Sequence, residues 1–435
     1  MQKEKIVVGL DIGSTKICAL VGRKDKFGKI EILGMGKAES HGVIRGVVTN
    51  IDKTVNAIAE AIEEAEKQSG IDIRVVNVGI AGQHIKSITQ RGSINRHTDD
   101  EITIEDVNRL TNDMYRTVTP PGSEIIHVMP QDYTVDFETG IKEPVGMSGV
   151  RLEADFNIIT AQTSAIKNIN RCVKRTGLEI QNLILEPIAS SMAVLTDEEK
   201  EAGIALVDIG GGTTDVAVFY ENIIRHTAVI PFGGHIITSD IKEGCRIMEH
   251  QAERLKIKFG KAIGDEASEN EFVSIPGLKN RPTKEISIKN LARIIEARMQ
   301  EIIELVHNEL IKSGYVNKLV GGIVITGGGS QLKHCQKLFQ FMTQMDTRIG
   351  HPNEYLGRTK VEIAKSPMYA TTVGLVLAGF RALDDRHDRY LQTQSQVKSL
   401  KTEKQSGGSS SDFFRKIIER TKGLLIDDFD DNNEY

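Results

Sequence analysis

Leu10-Asp11-Ile12-Gly13-Ser14-Thr15-Lys16 is matched far downstream by Val207-Asp208-Ile209-Gly210-Gly211-Gly212-Thr213. Each copy follows an apolar run (6–10, 204–207) and precedes another (17–21, 216–219), so each reads as a β-hairpin turned by Asp-x-Gly-[Ser/Gly]. Glycine and small hydroxyl residues let backbone N–H groups come close to an anion, and successive N–H groups in a turn form an anion nest. An Asp at the strand end suits a hydrated Mg2+, which keeps its waters and takes few carboxylates. A single such turn is more often a plain strand connection. Two in register, one in each half, can close on a nucleotide polyphosphate from opposite sides.

A third glycine run, Gly327-Gly328-Gly329, follows an apolar strand and opens a helix. Its backbone can pass close under a flat base or a phosphate; the plainer reading is a tight strand-to-helix turn. Beside the two hairpins it is read as an adenosine contact. Residues 22–29 superficially resemble a P-loop, but five residues separate Gly22 from Gly28 and Ile30 stands where Ser or Thr is required, so a solvated turn is expected. Glu186-Pro187 lies at a strand end between the phosphate motifs. Its carboxylate could orient the water that attacks a γ-phosphate, or be a helix-start acid facing the macrodipole. The residue types alone leave both open.

The chain of 435 residues is too long for one core, and its net charge of −5 supplies no basic field for nucleic acid. Four cysteines (Cys18, Cys172, Cys245, Cys335) stand far apart, which suits a reducing compartment and excludes a cysteine metal cluster on spacing. The charged residues 1–5 run straight into the first strand, so no signal peptide is expected. The longest apolar stretch, 371–380, is about half of the ~20 residues that span a bilayer.

Helices are expected over 53–69, with Val55, Ile58, Ala59, Ile62 and Ala65 apolar and Gly70 as stop, and over 289–312, stopped by Gly314. Between Gly82 and about Ile159 short β-like runs and Thr119-Pro120-Pro121-Gly122 suggest an inserted subdomain. Hairpin, crossover helix and sheet occur twice, which implies an α/β protein of two similar halves.

Residues 384–411 are polar and end Ser406-Gly407-Gly408-Ser409-Ser410-Ser411, a flexible linker. A helix over 412–426 follows. At 100° per residue Phe413, Phe414, Ile417, Ile418, Leu424 and Leu425 fall within an arc of about 140°, with Arg415, Lys416, Arg420 and Lys422 around the rest. An apolar stripe with a basic rim, too short to span, lies flat in a membrane interface; docking on a protein is the alternative. Each basic residue near an anionic surface contributes ~1 kcal/mol. Ordering the helix costs about as much per residue. One tail should therefore bind marginally, and assembly would add avidity.

These motifs, with the closing Pro367-Met368-Tyr369-Ala370-Thr371-Thr372-Val373-Gly374-Leu375, resemble the actin/Hsp70/sugar-kinase superfamily. Within it, residues 78–85 (VGIAGQHI), 127–131 (HVMPQ), 144–153 (PVGMSGVRLE) and 185–191 (LEPIASS) are similar to the FtsA family of bacterial division proteins.

The resemblance implies a two-lobed actin-like α/β fold of duplicated RNase H-like domains. A subdomain 1C would replace actin's 1B. Lobe 1 would be 1–82, 162–202 and 367–383, with 1C at 83–161. Lobe 2 would have its core at 203–233 and 319–366 and a subdomain 2B at 234–318. It also implies ATP and Mg2+ between the lobes. Asp11 and Asp208 would hold the metal through water. Gly13, Ser14, Thr15, Lys16, Gly210, Gly211, Gly212 and Thr213 would hold the phosphates, and Gly327, Gly328 and Gly329 the adenosine, with Glu253 and Lys256 near the ribose. Glu186 matches the hydrolytic position, and hydrolysis would be weak or absent.

The implied role is a self-polymerising adaptor at the cytoplasmic face of the inner membrane at the septum. It would bind anionic lipids, other division proteins and the tail of FtsZ, the last on 2B at Arg298. One departure stands out: the acidic tail 427–435, with Asp427, Asp428, Asp430, Asp431 and Glu434, follows the amphipathic helix and should weaken its attraction to anionic lipid. A chaperone ATPase would need a large domain after Leu383, where only about fifty largely polar residues follow. A metabolite kinase or pilus-assembly homologue would not need the lipid-seeking tail.

Overall fold

A computed structural model describes residues 5–385 apart from 27, 278–281, 358 and 360. The linker from 386 on, the amphipathic helix 412–426 with Phe413, Phe414, Arg415, Lys416, Ile417, Ile418, Leu424 and Leu425, and the acidic tail lie outside the described residues.

Two five-stranded sheets share one topology. In the first, the hairpin of Ile6–Ile12 and Lys16–Lys24 continues antiparallel into Ile30–Glu39, while Val75–Ile80 and Glu179–Leu185 add in parallel on the other side. In the second, the hairpin of Ile204–Ile209 and Thr214–Tyr220 continues into Ile223–Ile230, and Ile323–Thr326 and Thr347–Ile349 add in parallel. The registers also agree. Asp11 pairs with Cys18 and Ile12 with Ile17; Asp208 pairs with Asp215 and Ile209 with Thr214. The repeated motif is thus a repeated domain, and Lys24 pairs with Ile30 across a hairpin whose turn is closed by the Asp25 amide on Lys29 O, as a plain turn rather than a phosphate loop.

Parallel neighbours require long crossovers, and helices fill them. Helix Ile51–Ser69 begins where Asn50 accepts a hydrogen bond from the Lys53 amide and ends at Gly70 in the left-handed region, φ 72°. Its buried face is Thr54, Ala57, Ile58, Ala61, Ile62 and Ala65. Ala59, expected inside, faces solvent. The cause is Gly36 on the neighbouring strand: a Cβ there would overlap the Ala61 carbonyl, so the helix backbone rests directly on the sheet through its alanines. In the second half, helix Ile288–Ser313 runs from the Ser287 cap to Gly314 and buries Leu291, Ala292, Ile295, Met299, Ile302, Ile303, Val306 and Leu310. These side chains join Val207, Val216, Val218 and Ile325 of the sheet in one core.

After Val75–Ile80 the chain leaves the first sheet and builds a separate four-stranded sheet, ordered Lys86–Asn95, Arg151–Gln162, Ser123–Val135, Glu138–Ile141. Helix Ile104–Met114, started by a Thr103–Asp106 capping box, covers it, and Ile94, Leu110, Met114, Phe156 and Ile158 form its own core. Residues 370–380 are helical. All four cysteines are buried and free. Among the described residues no helix is long and apolar enough to cross a membrane.

Candidate functional site

Each hairpin turn closes with the same bond: the Gly13 amide donates to Lys16 O at 3.1 Å, and the Gly210 amide to Thr213 O at 2.9 Å. The two tips meet. A Cβ on Gly211 would overlap Thr15, and one on Gly212 would overlap Ser14, so glycine is needed here for close approach. Among the described residues the amides of Ser14, Thr15, Gly211 and Gly212 donate to no protein acceptor. All four residues line a cavity of about 390 Å3. Orphan amides on two apposed turns make a nest for a polyphosphate.

Four carboxylates stand around that nest: Asp11, Glu186, Asp208 and Asp215. Asp11 accepts from Lys16 Nζ at 3.1 Å and from Thr372 Oγ1 at 3.5 Å. Asp208 accepts from Thr371 Oγ1 at 3.0 Å. Asp215 accepts from Thr213 Oγ1 at 3.1 Å, while its Oδ1 has no partner. Glu186 is the first residue of helix Glu186–Val194, with Pro187 beside it, and it also lines the cavity. Glu186 is thus both a helix-start acid and a cavity-lining carboxyl group.

Crowding acids in a desolvated site disfavours their charged forms. Burial, then Asp11, Asp215 and Asp208, push Glu186 well above the ordinary carboxylate range. Burial raises Asp208, although hydrogen bonds from Thr371 and Ser190 oppose it. Burial and the facing Asp208 push Asp215 up to about 8. Lys16 goes the other way from its own burial penalty: Asp11 outweighs it and holds the ammonium above its usual value. The cluster thus has more carboxyl groups than cationic partners. Its orphan Asp215 oxygen and its two strand-end carboxylates fit a hydrated divalent cation. Among the described residues no group of three or more ligands could cage an ion directly.

The glycine run divides in two. A Cβ on Gly327 (φ 82°) would overlap Asp208 Oδ1, and one on Gly329 would overlap Ile209. Both are glycine because they pack against the end of the central strand, as the plainer reading held. At Gly328 a Cβ would meet only Met368 Cε at 3.9 Å, so this residue alone leaves room on the cavity side. Lys256 Nζ donates to Gly234 O and Thr238 Oγ1, both at 2.8 Å, and pairs with Glu253 at 2.8 Å. Burial lowers its pKa despite Glu253. Ile257, Leu332, Lys333 and Met368 also line the cavity.

Sequence reasoning passed over these four, Thr371 and Asp215. Asp215 carried a usable signal, since the hairpin register places it opposite Asp208; the others are brought in by tertiary contacts. Arg298 stands away from the cavity on helix Ile288–Ser313. Its guanidinium is engaged with Asp240 at 2.6 and 3.1 Å and with Glu301.

Residues 205–374 match a family described as "Cell division protein FtsA", and residues 82–160 one described as "SHS2 domain inserted in FTSA". The cell division protein FtsA of Pseudomonas aeruginosa is 41% identical over 385 residues, covering 88% of this chain and 92% of that protein. The Escherichia coli K12 protein is 36% identical over 382 residues, 86% of this chain and 90% of that protein. Among solved structures, the PilM-PilN type IV pilus biogenesis complex aligns with a TM-score of 0.62 at 15% identity, covering 86% of this chain and 98% of that chain. MreB5 of Spiroplasma citri bound to ADP aligns with 0.51 at 14%, covering 89% and 98%. At such identities the likeness is one of fold.

Proposed function

The chain belongs to the FtsA family of cell division proteins, and from that membership we propose that it is a nucleotide-controlled membrane adaptor of the division ring. The observation that carries the nucleotide half is the contact between the two phosphate turns, with unpartnered amides and an excess of carboxylates around them. ATP would lie in the cavity with its phosphates on the amides of Ser14, Thr15, Gly211 and Gly212. Lys16 would balance charge, and the adenosine would pass Gly328 near Glu253 and Lys256. Asp11 and Asp208 would hold Mg2+ through its waters, and the ion would neutralise charge on the phosphates. Glu186 is the group placed to orient a water and take its proton as the bond to the departing diphosphate breaks. Burial and the acids around it disfavour the charged form of Glu186, which favours slow hydrolysis or none.

The adaptor half rests on family membership and on the stripe of Phe413, Phe414, Ile417, Ile418, Leu424 and Leu425 with its basic rim. In this reading 412–426 binds anionic lipid at the inner membrane, residues 234–318 receive the FtsZ tail near Arg298, and nucleotide-linked self-assembly multiplies weak tails into firm attachment. For FtsZ, Arg298 would have to exchange Asp240 or Glu301 for a partner carboxylate. The deciding test is co-sedimentation of FtsZ with anionic liposomes in Mg-ATP, comparing the full chain with one ending at Gln405. FtsZ pelleting only with the full chain supports the adaptor; pelleting with neither, or equally with both, overturns the tail as anchor.

A further inference from the structure

One strand of the separate four-stranded sheet makes hydrogen bonds to both halves of the molecule. On Ser123–Val135, His127 Nε2 accepts a hydrogen bond from the Leu185 amide at 3.1 Å. Leu185 ends the last strand of the first sheet and immediately precedes Glu186 in the cavity. Four residues further, Gln131 Nε2 donates to Ile224 O at 2.9 Å on the edge strand of the second sheet. The next residue, Asp132, pairs with Arg225 at 2.6 and 3.2 Å. Arg225 is a buried cation, its side chain 4% exposed, also held by Glu221 at 3.2 Å and lying over the Tyr315 ring at 5.6 Å. Lys142, just past the strand Glu138–Ile141, adds an ion pair to Glu221 at 3.2 Å.

The edge strand that receives these contacts is bonded to Thr214–Tyr220, the strand that carries Asp215. A continuous path therefore leaves the cavity at Asp215, crosses two strands of the second sheet, passes through Arg225 and Asp132, and returns at Leu185 beside Glu186.

We propose that the strand Ser123–Val135 is a strut that senses the spacing of the two lobes, with His127 as a positioning residue for Glu186, so that nucleotide occupancy is transmitted to the inserted sheet. The inference rests on the nucleotide reading above. The phosphate turns belong to different lobes, so a ligand held by both changes how firmly the lobes are joined. A strand bonded to both lobes within six positions must follow or lose a contact. The bonds are of kinds whose loss is costly: a buried arginine pair and a hydrogen bond to the amide that precedes Glu186. Two packed bodies joined this way shift between discrete arrangements rather than deform smoothly.

Hydrogen exchange of the full chain, with and without Mg2+ and a non-hydrolysable ATP analogue, tests it. In the unaltered protein the analogue should slow exchange at the phosphate turns and also, by ~10-fold, at 123–135 and 223–230. Asp132→Asn removes the charge without a change in size. It should keep the response of the turns and reduce that of the insert to under ~2-fold. His127→Phe removes the acceptor that His127 offers the Leu185 amide and should raise its exchange ~10-fold, whereas His127→Gln restores an acceptor and should recover most of the protection. An insert that ignores the analogue while the turns respond overturns the coupling alone. Turns that do not respond overturn the nucleotide reading and the coupling with it. Equal exchange in the Phe and Gln variants overturns the positioning role.

Discussion

In the first lobe Asp11 faces Cys18 across the hairpin and takes Lys16 at 3.1 Å; in the second, Asp208 faces Asp215, and Thr213 occupies the place of Lys16. The backbones are copies, down to the bond that closes each turn. Their electrostatics are opposed. The first turn brings its own cation, while the second sets two carboxylates directly opposite each other, an arrangement that is unfavourable between strands. Burial pushes Cys18 up to about 11, so it stays neutral and adds no charge to its turn. Among the described residues it is the second turn that lacks a cationic partner of its own. A duplicated loop can keep its unpartnered amides in both copies while only one copy is left short of positive charge.

Four measurements break or sharpen this contrast. The largest effect is expected from Gly327→Ala, where a Cβ would overlap Asp208 and the backbone has φ 82°. Strain and overpacking together should cost about 3 kcal/mol or more in denaturant unfolding; an unchanged midpoint would mean that the second turn is not packed as described. Next, Asp208→Ala should weaken Mg-ATP binding ~100-fold in a folded protein, while Lys16→Ala should cost ~10-fold and increase the Mg2+ requirement, because it makes the first turn resemble the second. Calorimetric titration at several Mg2+ concentrations separates them, and equal Mg2+ dependence in both variants would erase the contrast.

Asp215→Asn removes one of the opposed carboxylates. It should stabilise the nucleotide-free protein by about 1–2 kcal/mol at pH 8 and shrink the stabilisation that Mg2+ confers. A destabilised variant would show that the pair is tolerated without a cation.

The smallest effect concerns the insert, which only the first lobe carries. Burial lowers His127 to about 4 against an ordinary 6.5. The folded state therefore binds fewer protons than the unfolded chain between those values. The contribution is fully present above the unfolded pKa, and falls away as pH drops from there toward the folded one. The ring keeps some solvent contact, so the loss should be about 1–2 kcal/mol. In His127→Gln this part of the pH slope should vanish; a slope identical to the parent's would assign it to other groups.

Much of this architecture could be read along the chain. The paired Asp-Gly turns, the glycine stops at Gly70 and Gly314, and the change of texture after Gly82 are signals carried by neighbours within a few residues, where turn chemistry and hydrophobic period operate. The site was legible to the same extent. Asp11, Glu186, Asp208 and the turn residues do line one cavity, and Asp215 was available through hairpin register.

Other features could not be read that way, because burial and desolvation sum over groups distant in sequence. Ala59 faces water because a glycine on the neighbouring strand lets Ala61 and Ala65 rest against the sheet. Gly327 and Gly329 are glycine because of Asp208 and Ile209, more than a hundred residues away, and not only for a ligand. Arg298, expected to meet the FtsZ tail, is held by Asp240 and Glu301. The joint of His127, Asp132 and Arg225 has no counterpart in local pattern. The amino-acid order by itself determined the two halves and their matching Asp-Gly turns, through short-range backbone chemistry. Only the tertiary structure decided which carboxylates lack a cation and how the insert is tied to both lobes, because those depend on charges and contacts that meet only after the chain has folded.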